Sequence, residues 1–318
     1  MRGIIIFLLF FNLIWADTVI LKNGSVYEGR IIKETEKMII IKIEIGEIGI
    51  PRDKIKEIEY DREREKISEI LYQKAKTLYN KMEDKEKYTI KNIPQYRKIK
   101  ELLEKAKEKT QNPETLKKIY PLLTTCYDHL AEYKRKHQTM KEYATLLYPK
   151  DREKQAEWIK SQADRLITEG ETAEAVMLYH FIPYDYPESK TVSGCYFKLG
   201  ELFEEKMDWE RALKNYKFVL NNEVEENLFQ KTLFRIGICY LKLNKNKKAT
   251  EMFQEVILKY PESDFSGEVL YHLGRAYYNS GRKEKAKEVF NRYLKKKFPE
   301  GKYAKEVKFF IKFLGGER

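Results

Sequence analysis

Cys126 and His129 stand one helical turn apart, and His137 follows two turns later. That spacing could bring a thiolate and imidazoles to one side of a helix to bind a metal, but a tetrahedral site needs a fourth ligand and none stands near them. Cys195 and Cys239 show no metal-ligand spacing. Two readings stay open for them: a Cys195–Cys239 disulfide, or three free cysteines packed as small hydrophobes in apolar helical stretches. No phosphate-binding Gly-rich loop, Gly-x-Ser-x-Gly, His-Glu-x-x-His or Cys-x-x-Cys occurs. Carboxylates are abundant, yet no pair is marked out by an apolar setting. The expectation is a non-enzymatic chain with no catalytic, cofactor-binding or metal residues, whose chemistry is recognition.

The 318 residues leave room for two or three structural units. With 42% hydrophobic and 13% aromatic residues, the chain can build a packed core, which argues against disorder. Only one segment is continuously apolar. Arg2 precedes Ile4–Leu9, Phe10, Phe11, Leu13 and Ile14, and small Ala16 stands before Asp17. This run is shorter than the roughly 20 residues that span a bilayer. It reads as a secretory signal over 1–16, with an uncleaved anchor or a buried first strand as the alternatives. No Cys follows it, so it does not match a lipoprotein signal, and the expected location is periplasmic or otherwise exported. The net charge is +12, and from His272 onward Lys and Arg far outnumber Asp and Glu. This excess either covers solvated helical faces or draws an anionic partner, such as an acidic protein, lipid headgroups or a wall polymer. An exported chain is not expected to meet nucleic acid.

Residues 17–60 have the grammar of strands. Thr18–Leu21 is β-prone, Asn23-Gly24 offers the pair that a type I′ hairpin turn needs, and Ser25–Ile32 follows with Gly29 as a candidate bulge. Met38–Ile43 and Ile45–Ile50 are Ile-rich, and Pro51–Lys54 turns into Ile55–Tyr60. Five short strands predict a small closed barrel, because closure removes exposed edges. After Tyr60 the period becomes helical. Asp61–Glu86 places Ile67, Ile70, Leu71, Ala75 and Leu78 on one face, Asp84–Pro94 is a polar loop, and Gln95–Lys109 is helical again. Asn112-Pro113 starts the next helix.

Self-similarity then takes over. Ala163, Gly200, Gly237 and Gly274 lie 37 residues apart, as do Ala175, Ala212, Ala249 and Ala286. Tyr179, Tyr216, Phe253 and Phe290 form a third such column, and Leu166, Phe203, Tyr240 and Tyr277 a fourth. Small residues allow two helices to cross closely, and the aromatics fill the space between pairs. Tyr-Pro or Phe-Pro at 148–149, 186–187, 260–261 and 298–299 stops the second helix of a pair.

These columns resemble the tetratricopeptide repeat (TPR), most specifically over 156–299, with a period of 37 in place of the family's usual 34. In one unit the matching residues are Leu270, Leu273-Gly274, Tyr277, Ala286, Phe290 and Tyr293. The resemblance implies a mainly α fold, a TPR α-solenoid, with degenerate TPR-like pairs over 61–155, the array over 156–302 and a capping helix over 303–318. Val19–Gly24 followed by Gly29 resembles the first motif of SH3-like and Sm-like barrels, which implies a small five-stranded SH3-like barrel over 17–60. The Ile-Arg-Gly triplet through which Sm proteins contact RNA is absent, with Ile50-Pro51-Arg52 in its place. Long Tyr-Pro-Glu-Ser-Asp loops are similar to those of bacterial envelope TPR proteins. These include the periplasmic Tol-Pal-associated division coordinator and the lipoprotein of the outer-membrane barrel-assembly machinery.

In TPR proteins the first helix of each pair lines a groove for a protein partner. By register the resemblance assigns to it Phe197, Glu201 and Glu204, then Lys231, Phe234, Ile238 and Lys242, then Glu268, Tyr271, Arg275, Tyr278 and Asn279. Tyr271, Arg275 and Tyr278 are the expected anchors, since Tyr and Arg dominate such contacts. The competing reading packs several of them against their own neighbours. The functional expectation is an envelope scaffold or adaptor for protein partners, active in envelope maintenance or division. The alternative is a binder of an anionic wall or membrane component through the basic C-terminal repeats.

Overall fold

Alternation of apolar and polar residues builds the first element, β1 (Asp17–Leu21), whose inward side chains Val19 and Leu21 are buried. The computed structural model describes residues 16–43, 45–82, 92–263, 265–295 and 301–315. The expected signal segment lies outside these residues apart from Ala16, and so does most of the expected loop at Asp84–Pro94. The backbone forms two compact units, one ending at Gln155 and the other beginning at Ala156.

In the first unit, β1 is followed by β2 (Val26–Glu34), β3 (Met38–Ile43), β4 (Gly46–Pro51) and β5 (Ile55–Glu59). All neighbours are antiparallel, in the order β4-β3-β2-β1-β5. Val19, Leu21, Ile31, Ile39, Ile41 and Ile50 make one buried cluster. β2 changes partner midway, pairing with β1 through Val26–Gly29 and with β3 from Arg30. At Gly29 a Cβ would overlap the Lys42 carbonyl oxygen, so close backbone approach requires the glycine. The irregularity expected at Gly29 falls instead between Ile31 and Lys33.

Two further expectations are corrected here. The hairpin turn is not type I′, because of its two residues only Gly24 has positive φ, at 85°. Gly24 N–H bonds the Leu21 carbonyl at 3.0 Å and Leu21 N–H bonds the Ser25 carbonyl at 2.8 Å, the three-residue loop with a left-handed last residue. Nor is the sheet closed: β4 and β5 hold its two edges, with no ladder between them among the described residues. The turn joining them, Arg52–Lys54, has its backbone groups bonded elsewhere. Arg52 N–H donates to Lys37, and the Lys54 carbonyl accepts from Lys22.

Asp17 ties the sheet to the first helix. Its buried carboxylate accepts from Ile31 N–H at 2.8 Å and Asp61 N–H at 2.9 Å, and faces Arg64 Nη1 at 3.3 Å. α1 (Arg62–Asn80) starts on Asp61, whose side chain caps Glu63 and Arg64. Its buried face is Ser68, Tyr72 and Ala75, while Ile70 is exposed. Of the apolar stripe expected from periodicity, Ala75 is buried and Leu71 and Leu78 pack against the core, and Ile70 lies outside it; Ser68 Oγ bonds the Ala106 carbonyl of α2 (Ile93–Lys109) at 2.9 Å. α3 (Pro113–His129) and α4 (Tyr133–Leu147) complete the unit.

α5 (Arg152–Thr168) bridges the unit boundary, and the second unit continues with α6 (Thr172–Asp185), α7 (Thr191–Glu205) and α8 (Trp209–Leu220). α9 (Glu226–Lys242), α10 (Asn246–Lys259), α11 (Ser266–Asn279), α12 (Lys283–Lys295) and α13 (Ala304–Leu314) follow. One contiguous apolar cluster runs from Ala212 to Val307.

Candidate functional site: a partner-binding face

Five helical pairs, α3/α4, α5/α6, α7/α8, α9/α10 and α11/α12, are joined by the same turn. Ala131, Gly170, Met207, Asn244 and Gly281 hold positive φ, between 55° and 84°. The next residue's N–H then reaches five residues back, as from Glu171 to Leu166, Asp208 to Phe203, Lys245 to Tyr240 and Arg282 to Tyr277, at 2.8–2.9 Å. This left-handed cap satisfies the carbonyls left open at the end of the first helix. α3 and α4 share it through Ala131 and Glu132.

Inside each pair the small column meets the aromatic column. A Cβ at Gly200 would collide with the Tyr216 ring, one at Gly237 with Phe253 and one at Gly274 with Phe290. The ring lies against bare backbone and fixes how the second helix crosses the first. Glycine is therefore matched by an aromatic of the second helix.

With one side of each first helix held by its second helix, the remaining side carries polar groups. On α5, Lys160 Nζ meets Asp164 at 2.7 Å, and Asp164 also accepts from the Tyr179 hydroxyl. On α7, Lys198 meets Glu201 at 2.8 Å. Arg235 of α9 reaches back to Glu204 at 3.1 Å and to Glu201 at 3.8 Å. Burial raises the Glu204 carboxyl above its ordinary range, with Arg235 opposing the shift. Cys239 Sγ lies 3.7 Å from Glu204. Sequence register missed Arg235, which shares its column with Lys198 and reaches the carboxylates of the preceding repeat.

Residues 231–263 and 268–301 match the family model described as tetratricopeptide repeat. The chain carries tetratricopeptide repeats. Among solved structures, the C-terminal part of a TPR repeat-containing protein from Cytophaga hutchinsonii is 16% identical, covering 80% of this chain and 87% of that one, with a TM-score of 0.45. A MamA double mutant is 20% identical over 51% of this chain and 86% of its own, with a TM-score of 0.44. PilW, a type IV pilus biogenesis factor, is 14% identical over 76% and 98%, with a TM-score of 0.41. No curated protein matches the chain.

The TPR register distributes the expected groove residues unequally. Phe197 tilts against Tyr216 at 5.4 Å, and Phe234 is buried against Phe253, Phe265 and His272. Tyr271 is 2% exposed, stacks on Tyr303 at 4.0 Å and donates its hydroxyl to Glu306 of α13. Tyr278 meets Phe310 and Phe313 of α13 edge-on. Arg275 lies 5.9 Å over the Tyr271 ring, with Nη1 3.4 Å from its hydroxyl. Lys242 is exposed over the Trp209 ring at 5.5 Å, Glu201 is half-buried, and Asn279 is exposed at the end of α11. The aromatic members and Arg275, whose Nε is buried, thus pack within the array, while Lys242 and Asn279 are exposed and Glu201 is half-buried.

The alternatives left open for the cysteines are also resolved: all three are free and buried. Burial pushes the Cys126 and Cys195 thiols up to about 12, the behaviour of inert packing residues. His129 stacks flat on Tyr96 at 4.0 Å. Among the described residues no group of three or more His, Cys, Asp or Glu is placed to hold a metal.

Proposed function

We propose that this chain is an exported, non-enzymatic TPR adaptor of the cell envelope that holds protein partners along the first-helix face of its repeats. The observation that carries the reading is the row of exposed Lys198, Lys242 and Asn279 with half-buried Glu201 and Arg235 between them, on repeats whose aromatic residues are already packed. A partner segment would be read by the mixed charges of α7 and α9 and by the Asn279 amide of α11. Export rests on the apolar run of residues 4–14 behind Arg2, and among the described residues no helix is long and apolar enough to cross a membrane. The domain limits expected from sequence, 1–16, 17–60, 61–155, 156–302 and 303–318, are kept as part of this reading. So is an SH3-like character for the sheet, supported by its bent β2 and single buried face.

Photo-crosslinking side chains installed at Lys198, Lys242 and Asn279 of the full chain, in intact cells, are expected to trap one common partner. The same groups on the second helices, at Lys214 and Lys247, should trap none. Equal capture from both sets of sites contradicts the reading. Fractionation tests export separately, with cytoplasmic recovery as the contrary result.

A further inference from the structure

α13 stands in the position of a first helix. Ala304, Val307 and Phe310 continue the columns of Gly267, Leu270 and Leu273 at the same 37-residue interval. They turn inward with Ile311 and Leu314, and Phe310 stacks on Phe290 at 5.2 Å. The glycine column is broken here, since Ile311 stands where Gly274 predicts Gly. Among the described residues no second helix presses a ring against it.

The opposite face has an unusual composition. Its exposed residues are Lys305, Glu306, Lys308, Phe309, Lys312 and Phe313. Phe309 and Phe313 are 65% and 57% exposed and lie against each other in parallel, centroids 6.3 Å apart. Glu306, the one acidic residue of the helix, is engaged by the Tyr271 hydroxyl. Solvated helix faces mix charge signs, and a capping helix needs a polar outer face. This face carries three lysines against a single glutamate, beside a ridge of two aromatic rings.

We infer that the outer face of α13 docks on an anionic lipid surface, with Phe309 and Phe313 entering the interface and Lys305, Lys308 and Lys312 meeting the headgroups. Long lysine stems let the ammonium groups stay at headgroup level while neighbouring rings go deeper. A second copy is disfavoured as the occupant, because a symmetric contact would press the same three lysines against their equivalents on a chain already at +12. A protein groove that takes a helix uses an apolar stripe over several turns. On α13 that stripe is already buried inside the array, and two rings one turn apart are what remains.

The test is co-sedimentation of the full chain with phosphatidylcholine vesicles, with and without phosphatidylglycerol. Binding is expected only with the anionic lipid. Lys305→Gln/Lys308→Gln/Lys312→Gln should weaken it by roughly a hundred-fold. Phe309→Ser/Phe313→Ser should weaken it by roughly ten-fold, and Lys247→Gln/Lys248→Gln on α10 should leave it unchanged. A Phe309→Trp chain, which keeps the fold, should show blue-shifted indole emission on anionic vesicles alone. The inference is overturned if the α10 variant loses as much binding as the α13 variant. It is also overturned if the double serine variant binds fully, if the emission of the Phe309→Trp chain stays unshifted on anionic vesicles, or if only purified wall polymer or polyglutamate is bound.

Discussion

The collision that a Cβ would meet at Gly200, Gly237 and Gly274 explains why a residue unfavourable in helix interiors recurs there. The helix gives up propensity to let an aromatic ring lie on its backbone. Gly237→Ala should therefore destabilise by about 1–3 kcal/mol despite alanine's better helix propensity, measurable by urea denaturation of the full chain. A second residue-scale consequence concerns Glu204, whose carboxyl is raised by burial and restrained by Arg235. Removing the cation in Arg235→Met should raise it further. A group raised in the folded state costs nothing below its unfolded value near 4.5 and destabilises as pH climbs through the folded one. The variant should lose about 1–2 kcal/mol between pH 4.5 and 7, and adding Glu204→Gln should flatten that dependence. A pH series of denaturation midpoints checks both.

At the scale of elements, the left-handed turn decides where one helix of a pair ends and the next begins. Two pairs use Gly at this position, while Ala131, Met207 and Asn244 hold the same backbone with a side chain present. A non-glycine residue costs about 1–2 kcal/mol in this conformation, less for Asn, which tolerates it. Met207 is 75% exposed and its side chain offsets little of that cost. Met207→Gly is accordingly expected to stabilise by about 1 kcal/mol and Asn244→Gly by less, read as shifts in denaturation midpoint at unchanged slope. An outcome in which Met207→Gly destabilises would mean that the Met207 side chain supports the turn.

Over the whole molecule, stability in a repeat array is a sum of units and nearest-neighbour interfaces, so the interface that α13 makes contributes its own term. α13 covers Tyr271, Tyr278 and Phe290. Phe310→Ala should cost about 2–4 kcal/mol and lower the first unfolding transition, while the outer-face lysine substitutions should leave it in place. That contrast, recorded by differential scanning calorimetry, separates the structural side of the helix from its exposed side. If Phe310→Ala leaves the transition where it was, α13 is not the cap that holds the array's last interface.

The 37-residue columns, the Tyr-Pro stops and the switch from strand to helix period at Tyr60 were legible in the chain itself, because they are local patterns imposed by the period of each element. Which residue meets which across elements was not. Periodicity selected Leu71, Ala75 and Leu78, which pack on the core, but it also selected Ile70, which is exposed, and missed Ser68 and Tyr72, which are buried against the neighbouring helix. Asn23-Gly24 announced a hairpin, but backbone bonding chose its form. Register placed Tyr271 and Tyr278 on the partner face, whereas Tyr303 and α13 lie over them. The sequence by itself thus determined the repeat and its handover from strands. Only the tertiary structure decided which side chains are consumed by packing and which stay free to meet a partner, since that depends on contacts between residues far apart in the chain.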